Sequence, residues 1–254
     1  MQRHNLHHNG LELSYLDSGN EGPVLIALHA HIMESATFIP LPGMLPPGWR
    51  VIALDQRGHG HSDHAPSYTR NDYIHDLEGL FDHLNLTEAV LLGNSLGGVN
   101  AYQFAARHPD KVRALIIEDI GTEIADNLDF ALAWEGHFPT REALAEAIGP
   151  ISAYLQDSFR ETPAGWKLAF NPRDMVESGR HLAGDHLQDW TDSHCPALLL
   201  RGRDSNVTTQ ANVELMASQR PNTRLETLDG GHVIHVDNPS GFANAVNEFL
   251  RQLQ

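Results

Sequence analysis

The residues best suited to covalent chemistry are Gly93-Asn94-Ser95-Leu96-Gly97-Gly98. They follow an apolar run, Ala89-Val90-Leu91-Leu92, and open a stretch over 96–107 whose apolar residues recur at helical intervals. A G-x-S-x-G string in that setting is a tight strand-to-helix turn that presents a serine hydroxyl at the end of a sheet. The helix N-terminus places amide donors and partial positive charge beside it. The bland alternative, a serine that merely caps the helix, is disfavoured by the strand before it. Ser95 is therefore the candidate nucleophile for attack on a carbonyl carbon. Seventeen histidines also call for a search for metal ligands, since neutral imidazole binds metals readily.

The elements that must position such a serine follow from the apolar pattern. Short runs that are apolar on both faces, Val24-Leu25-Ile26-Ala27-Leu28, Val51-Ile52-Ala53-Leu54, the run before Ser95, Ala114-Leu115-Ile116-Ile117 and Ala197-Leu198-Leu199-Leu200, read as buried parallel strands. A weaker run over 225–228 reads as one more. Helical spacing over 68–86, 96–107, 209–218 and 240–253 lies between or after them, and this alternation predicts an α/β doubly wound, mostly parallel sheet. Asn9-Gly10 between Leu6-His7-His8 and Leu11-Glu12-Leu13 predicts a leading antiparallel hairpin. The strand rhythm stops over 121–194, where helical patches are broken by Pro139, Pro150, Pro163 and Pro172. That stretch is expected to be a helical cap inserted into a single domain spanning 1–254.

Composition limits the partners. With 41% apolar and 20% charged residues the chain has globular composition. Its net charge of −16 repels phosphate backbones and anionic headgroups, so neither nucleic acid nor a membrane surface is an expected partner. The first nine residues are polar, and no run approaches the roughly 20 apolar residues of a membrane span, so a cytoplasmic location is expected. The single cysteine, Cys195, excludes an internal disulfide and is expected to be a small buried hydrophobe. No feature specifies an oligomeric state.

Four motifs in order resemble the α/β-hydrolase superfamily. Besides the serine turn, Asp55-Gln56-Arg57-Gly58-His59-Gly60-His61-Ser62 is similar to the D-x-R-G-x-G-x-S turn of that family, His29 to its H-G position, and Gly231-His232 to its late catalytic histidine. The resemblance implies the order nucleophile, acid, histidine. It makes His232 the base for Ser95, and Asp204, after the run at 197–200, the acid that orients His232; Glu118 and Asp119 are the competing carboxylates. His235 is expected to have a structural or pocket role. The oxyanion donors are expected to be the amides of Leu96 and His31. Here the chain departs from the family, because Ala30 replaces the usual glycine after His29. The string His59-Gly60-His61-Ser62-Asp63-His64 also matches the H-x-H-x-D-H spacing of metallo-β-lactamase-like hydrolases, but the D-x-R-G-x-G-x-S turn already accounts for it, and no metal is expected.

The resemblance implies a serine esterase that cleaves carboxylic esters through an acyl-enzyme without a cofactor, and two or three cap aromatics lining an apolar pocket above Ser95 would favour small to medium uncharged acyl groups. Ala30, Asn94, Trp134 and Phe138 are the expected substrate-binding residues. The other cap aromatics, Tyr154, Phe159, Trp166, Phe170 and Trp190, are expected chiefly to form the cap's own core and its contact with the sheet. A lactonase, a carbon-carbon bond hydrolase or lyase, and a ligand receptor of low turnover are the alternatives on the same scaffold.

Overall fold

Residues 1–125 and 127–253 are described by a computed structural model. Asn9 and Gly10, both with positive φ, turn β1 (Gln2–His8) back onto β2 (Leu11–Asp17), so that Leu6 pairs with Leu13. The doubly apolar runs become β3 (Val24–Leu28), β4 (Arg50–Leu54), β5 (Ala89–Asn94) and β6 (Val112–Glu118). Between them lie α1 (Leu41–Met44), α2 (Arg70–His83) and α3 (Leu96–Arg107). Thr69 and Asp72 start α2 with a reciprocal capping box, each side chain bonding the other's backbone amide.

The segment after β6 is not wholly helical. It holds α4 (Arg141–Ile148), α5 (Pro172–Leu182) and α6 (Leu187–Asp192), but also two antiparallel pairs. These are β7 (Glu123–Ile124) with β10 (Gly184–Asp185), and β8 (Phe159–Thr162) with β9 (Gly165–Leu168). The second pair closes because Gly165 takes a φ of 117°, which few side-chain-bearing residues adopt. The chain then returns to the sheet as β11 (Ala197–Gly202), α7 (Gln210–Gln219), β12 (Thr223–Leu228), α8 (Ile234–Asp237) and α9 (Pro239–Arg251).

The eight-stranded sheet runs β1-β2-β4-β3-β5-β6-β11-β12, parallel from β4 onward. Alternate strand residues face opposite sides, and each side has its own core. Leu91, Leu115 and Leu199 pack with Tyr73, Phe81, Phe104 and Val213 from α2, α3 and α7. Leu92, Ile116 and Leu200 pack with Phe38, Phe242 and Val246, on the side of α9. A third cluster joins Leu144, Leu155, Phe170 and Met175 of the insertion to Ala30, Ile32 and Met33 of the loop after β3. Trp190 belongs to the first of these and not to the insertion's own core: it meets Tyr102 edge-on at 5.9 Å and donates to the Met216 carbonyl at 2.9 Å. No helix among the described residues is long and apolar enough to cross a membrane.

Candidate active site

Register brings the chemical groups together at the carboxyl ends of the strands. Asn94 of β5 lies opposite Glu118 of β6, and Glu118 opposite Leu200 of β11. The residues that follow, Ser95 and Asp119, therefore leave the sheet side by side. Ser95 has φ 53° and ψ −117°, the strained geometry of a tight strand-to-helix turn that points its side chain away from the sheet. The neighbouring glycines are required by close approach: a Cβ on Gly93 would lie 2.2 Å from the Gly97 carbonyl oxygen, and one on Gly97 would lie 2.1 Å from that of Leu28.

Ser95 and His232 both line one cavity of about 240 Å³. His232 Nδ1 lies 2.8 Å from Asp119 Oδ2. Asp119 is fully buried and accepts three further hydrogen bonds, from the Ser205 hydroxyl at 2.5 Å, the Thr208 hydroxyl at 2.8 Å and the Gly202 amide at 3.0 Å.

The expectation that Asp204 holds His232 is corrected by this geometry. Asp204 is exposed, and its amide donates to the Gly230 carbonyl at 3.0 Å. The physical reason is position. β6 lies next to β5, whereas the turn carrying Asp204 follows β11, one strand farther from Ser95. That turn contributes the donors Gly202, Ser205 and Thr208 to Asp119 and leaves Asp204 facing solvent.

The loop after β3 is held from below by the D-x-R-G-x-G-x-S turn. His29 Nε2 accepts from the Gln56 amide at 3.0 Å, while Asp55 accepts from the Ser35 amide at 2.7 Å and pairs with Arg3 at 2.5 Å. Arg57 grips Asp76 of α2 through two bonds of 2.7 Å. His59 donates from Nδ1 to the Arg57 carbonyl, and His64 Nδ1 meets Asp174 of α5 at 3.0 Å. These two histidines of the H-x-H-x-D-H string thus turn to separate partners, and no group of three metal-ligating side chains converges among the described residues.

Leu96 is the first residue of α3, where amides have no intrahelical acceptor. Ala30, His31, Ile32 and Met33 line the cavity opposite. A glycine after His29 would allow a positive φ there, but in this loop the positive φ falls on Ile32, at 63°, and not on Ala30; β-branched residues rarely adopt it. The His31 imidazole is buried, with Nε2 2.8 Å from the Ser178 hydroxyl, which also bonds Tyr73 at 2.7 Å. Burial above all, then the nearby His59 and Arg70, holds its pKa well below the usual histidine value, so it contributes a neutral ring.

Of the expected substrate-binding residues, Ala30 lines the cavity and three do not. Asn94 is buried beneath it, donating to the Glu118 carbonyl at 3.2 Å and the His232 carbonyl at 3.0 Å. Trp134 and Phe138 pack within the insertion, with Trp134 on a separate outer groove. The lining instead comes from Leu128, Phe130, Ile151, Tyr154 and Leu155 of the insertion, with Val207 and Val233 from the main sheet's loops. Tyr154, expected chiefly in the cap's own core, is among the lining residues, and nothing in the spacing distinguishes the lining aliphatics from ordinary core residues.

The fold is that of a hydrolase family. The chain belongs to the alpha/beta hydrolase fold family, whose model matches residues 23–239. It is 30% identical over 251 residues to the 2-(acetamidomethylene)succinate hydrolase of Mesorhizobium japonicum, covering 90% of this chain and 88% of that one. It is 28% identical over 265 residues to the sn-1-specific diacylglycerol lipase ABHD11 of Mus musculus, covering 94% and 85%. A crystal structure of E-2-(acetamidomethylene)succinate hydrolase superposes with a TM-score of 0.87 at 25% identity, covering 98% of this chain and 99% of that one.

Proposed function

We propose that this chain is a serine hydrolase of uncharged carboxylic esters with small to medium acyl groups. The reading rests on one observation: Ser95 and His232 share an apolar cavity while Asp119 accepts from His232 Nδ1. In the proposed reaction Ser95 Oγ attacks the ester carbonyl as His232 Nε2 takes its proton. The amides of Leu96 and His31 receive the oxyanion. The C–O bond breaks, and the alcohol leaves with the proton from His232. Water then gives a proton to the same nitrogen and attacks the acyl-enzyme, releasing the acid and restoring Ser95. The sequence requires no cofactor, and a lactone, as a cyclic ester, follows the same steps.

Substrate charge and size are read from the lining. Among the described lining residues there is no lysine or arginine, and burial keeps His31 neutral. A carboxylate there would lose its hydration without a counter-charge. This separates the proposed substrate from a succinate, the doubly acidic compound in the bacterial relative's name. A cavity of about 240 Å³ is also smaller than the roughly 300–1,000 Å³ of sites that enclose drug-sized ligands. The insertion, which supplies Leu128, Phe130, Ile151, Tyr154 and Leu155, serves as the cap.

Hydrolysis of p-nitrophenyl esters from acetate to decanoate, by the native protein and Ser95→Ala with EDTA present, tests the reading. Activity that survives the chelator and is lost in the variant supports it. Full activity in Ser95→Ala, or equal rates on charged and uncharged esters of matched size, would overturn the nucleophile or the pocket reading respectively.

A further inference from the structure

A second histidine-carboxylate pair lies behind the first, and the reaction above makes no use of it. Glu118 and His235 are both buried. His235 Nδ1 donates to Glu118 Oε2 at 2.8 Å, and the His235 amide donates to Oε1 of the same carboxylate at 2.8 Å. The other ring nitrogen, Nε2, accepts from the Thr37 hydroxyl at 2.7 Å. Phe38 stacks on the ring at 4.7 Å, which fixes its plane.

The backbone of Glu118 is equally committed. Its carbonyl accepts from the Ser95 amide at 3.1 Å and from Asn94 Nδ2 at 3.2 Å, and Asn94 Nδ2 also reaches the His232 carbonyl. Glu118 thus touches the nucleophile's own amide, precedes Asp119 directly, and holds the helix that begins two residues after His232. Through His235 and Thr37 it reaches the segment that follows the oxyanion loop. Three loops that must stay in register for proton transfer thus meet at one residue, the Ser95 turn at its main-chain carbonyl and the other two at its carboxylate.

We infer that the Glu118–His235 pair is a positioning device for the reaction proposed above, on which the inference rests: it sets the separation of Ser95, His232 and the oxyanion loop without touching substrate. A carboxylate held by a backbone amide and an imidazole together resists displacement more than either bond alone. Displacements of about 1 Å in a reacting constellation cost on the order of 100-fold in rate, and the loss falls on kcat because the cavity walls that bind the acyl group are unchanged.

The test is per-site kinetics on His235→Phe, His235→Asn and Glu118→Gln, with active sites counted by fluorophosphonate labelling of Ser95. His235→Phe keeps the stack on Phe38 and loses both ring hydrogen bonds, and its kcat per labelled site is expected to fall about 100-fold with KM within threefold. His235→Asn restores a donor toward Glu118 and is expected to recover about tenfold of that loss. Glu118→Gln, nearly isosteric, is expected to fall about tenfold and gives the answer if His235→Phe does not fold. A merely structural pair would lower Tm and the number of labelled sites but leave kcat per site unchanged. That result, within twofold of the native protein, overturns the inference alone; a native protein that neither labels nor turns over removes the parent reading and the inference with it.

Discussion

Replacing Asp119 by Asn is the most discriminating perturbation of the proposed chemistry. The carboxamide keeps the volume of the buried side chain, and its oxygen can still accept from the Gly202 amide and the Thr208 hydroxyl. Its NH2 group must then occupy the place of Oδ2, which faces the Ser205 hydroxyl and His232 Nδ1. The hydroxyl can rotate to accept. The imidazole cannot donate to an NH2 group, so Nδ1 must become the acceptor and the proton must move to Nε2, the nitrogen needed to take the proton of Ser95. The analogous substitution in serine proteases lowers kcat about 10⁴-fold, which is about 5.5 kcal/mol of transition-state stabilisation. Asp204→Asn changes an exposed side chain, and surface changes of that kind stay within about 0.5 kcal/mol, or roughly a factor of two. Steady-state hydrolysis of the best p-nitrophenyl ester, normalised to folded protein by circular dichroism, should separate the two variants by more than a thousandfold. A hundredfold loss in Asp204→Asn beside a near-native Asp119→Asn would refute the assignment.

Glu34 lies buried beside Arg160, and burial, opposed by the arginine, pushes its pKa from the usual 4.5 up to about 7. The folded state then holds this proton at pH values where the unfolded chain has released it. The resulting stability is whole below pH 4.5 and drains away as pH climbs through 7, by about 3 kcal/mol at 1.36 kcal/mol per unit. Melting curves from pH 5 to 8 should therefore decline more steeply for the native protein than for Glu34→Gln; parallel declines would contradict this. His59 has the opposite sign. Burial, then the neighbouring His29, holds its pKa down at about 3, so stability is complete above the usual 6.5 and is lost as pH falls. Acid titration of His59→Asn should give a shallower loss between pH 6.5 and 4 than the native protein. Leu155 is fully buried against the cavity, and Leu155→Ala should cost about 2–5 kcal/mol while moving the ester optimum to longer acyl chains. An unchanged chain-length profile would place the acyl group elsewhere. Gly97→Ala, whose Cβ would meet the Leu28 carbonyl oxygen, should abolish labelling of Ser95 by a fluorophosphonate; normal labelling would contradict the close approach.

Local signals carry the fold and the turn that presents Ser95. Strands apolar on both faces and an Asn-Gly turn each specify their conformation through neighbours along the chain, and the structure bears out the mostly parallel sheet with its leading hairpin. The β8–β9 pair was the exception within reach, because Trp166 and Leu168 alternate around Lys167 just after a Pro163-Ala164 turn. The partner of His232 was not readable in this way. Asp204 and Asp119 both follow strands, and only the lateral order β5-β6-β11, with Asn94, Glu118 and Leu200 in register, sets Asp119 beside Ser95 and turns Asp204 outward. The cavity lining is a further case. Leu128, Ile151 and Leu155 have the composition of any core, and only the folding of their segment over Ser95 brings them into one cavity with it. Chain-local chemistry was written into the order of the residues, whereas contacts between residues more than a hundred positions apart, such as Asp119 with His232 and Glu118 with His235, depend on how sheet order and helix packing close the distance.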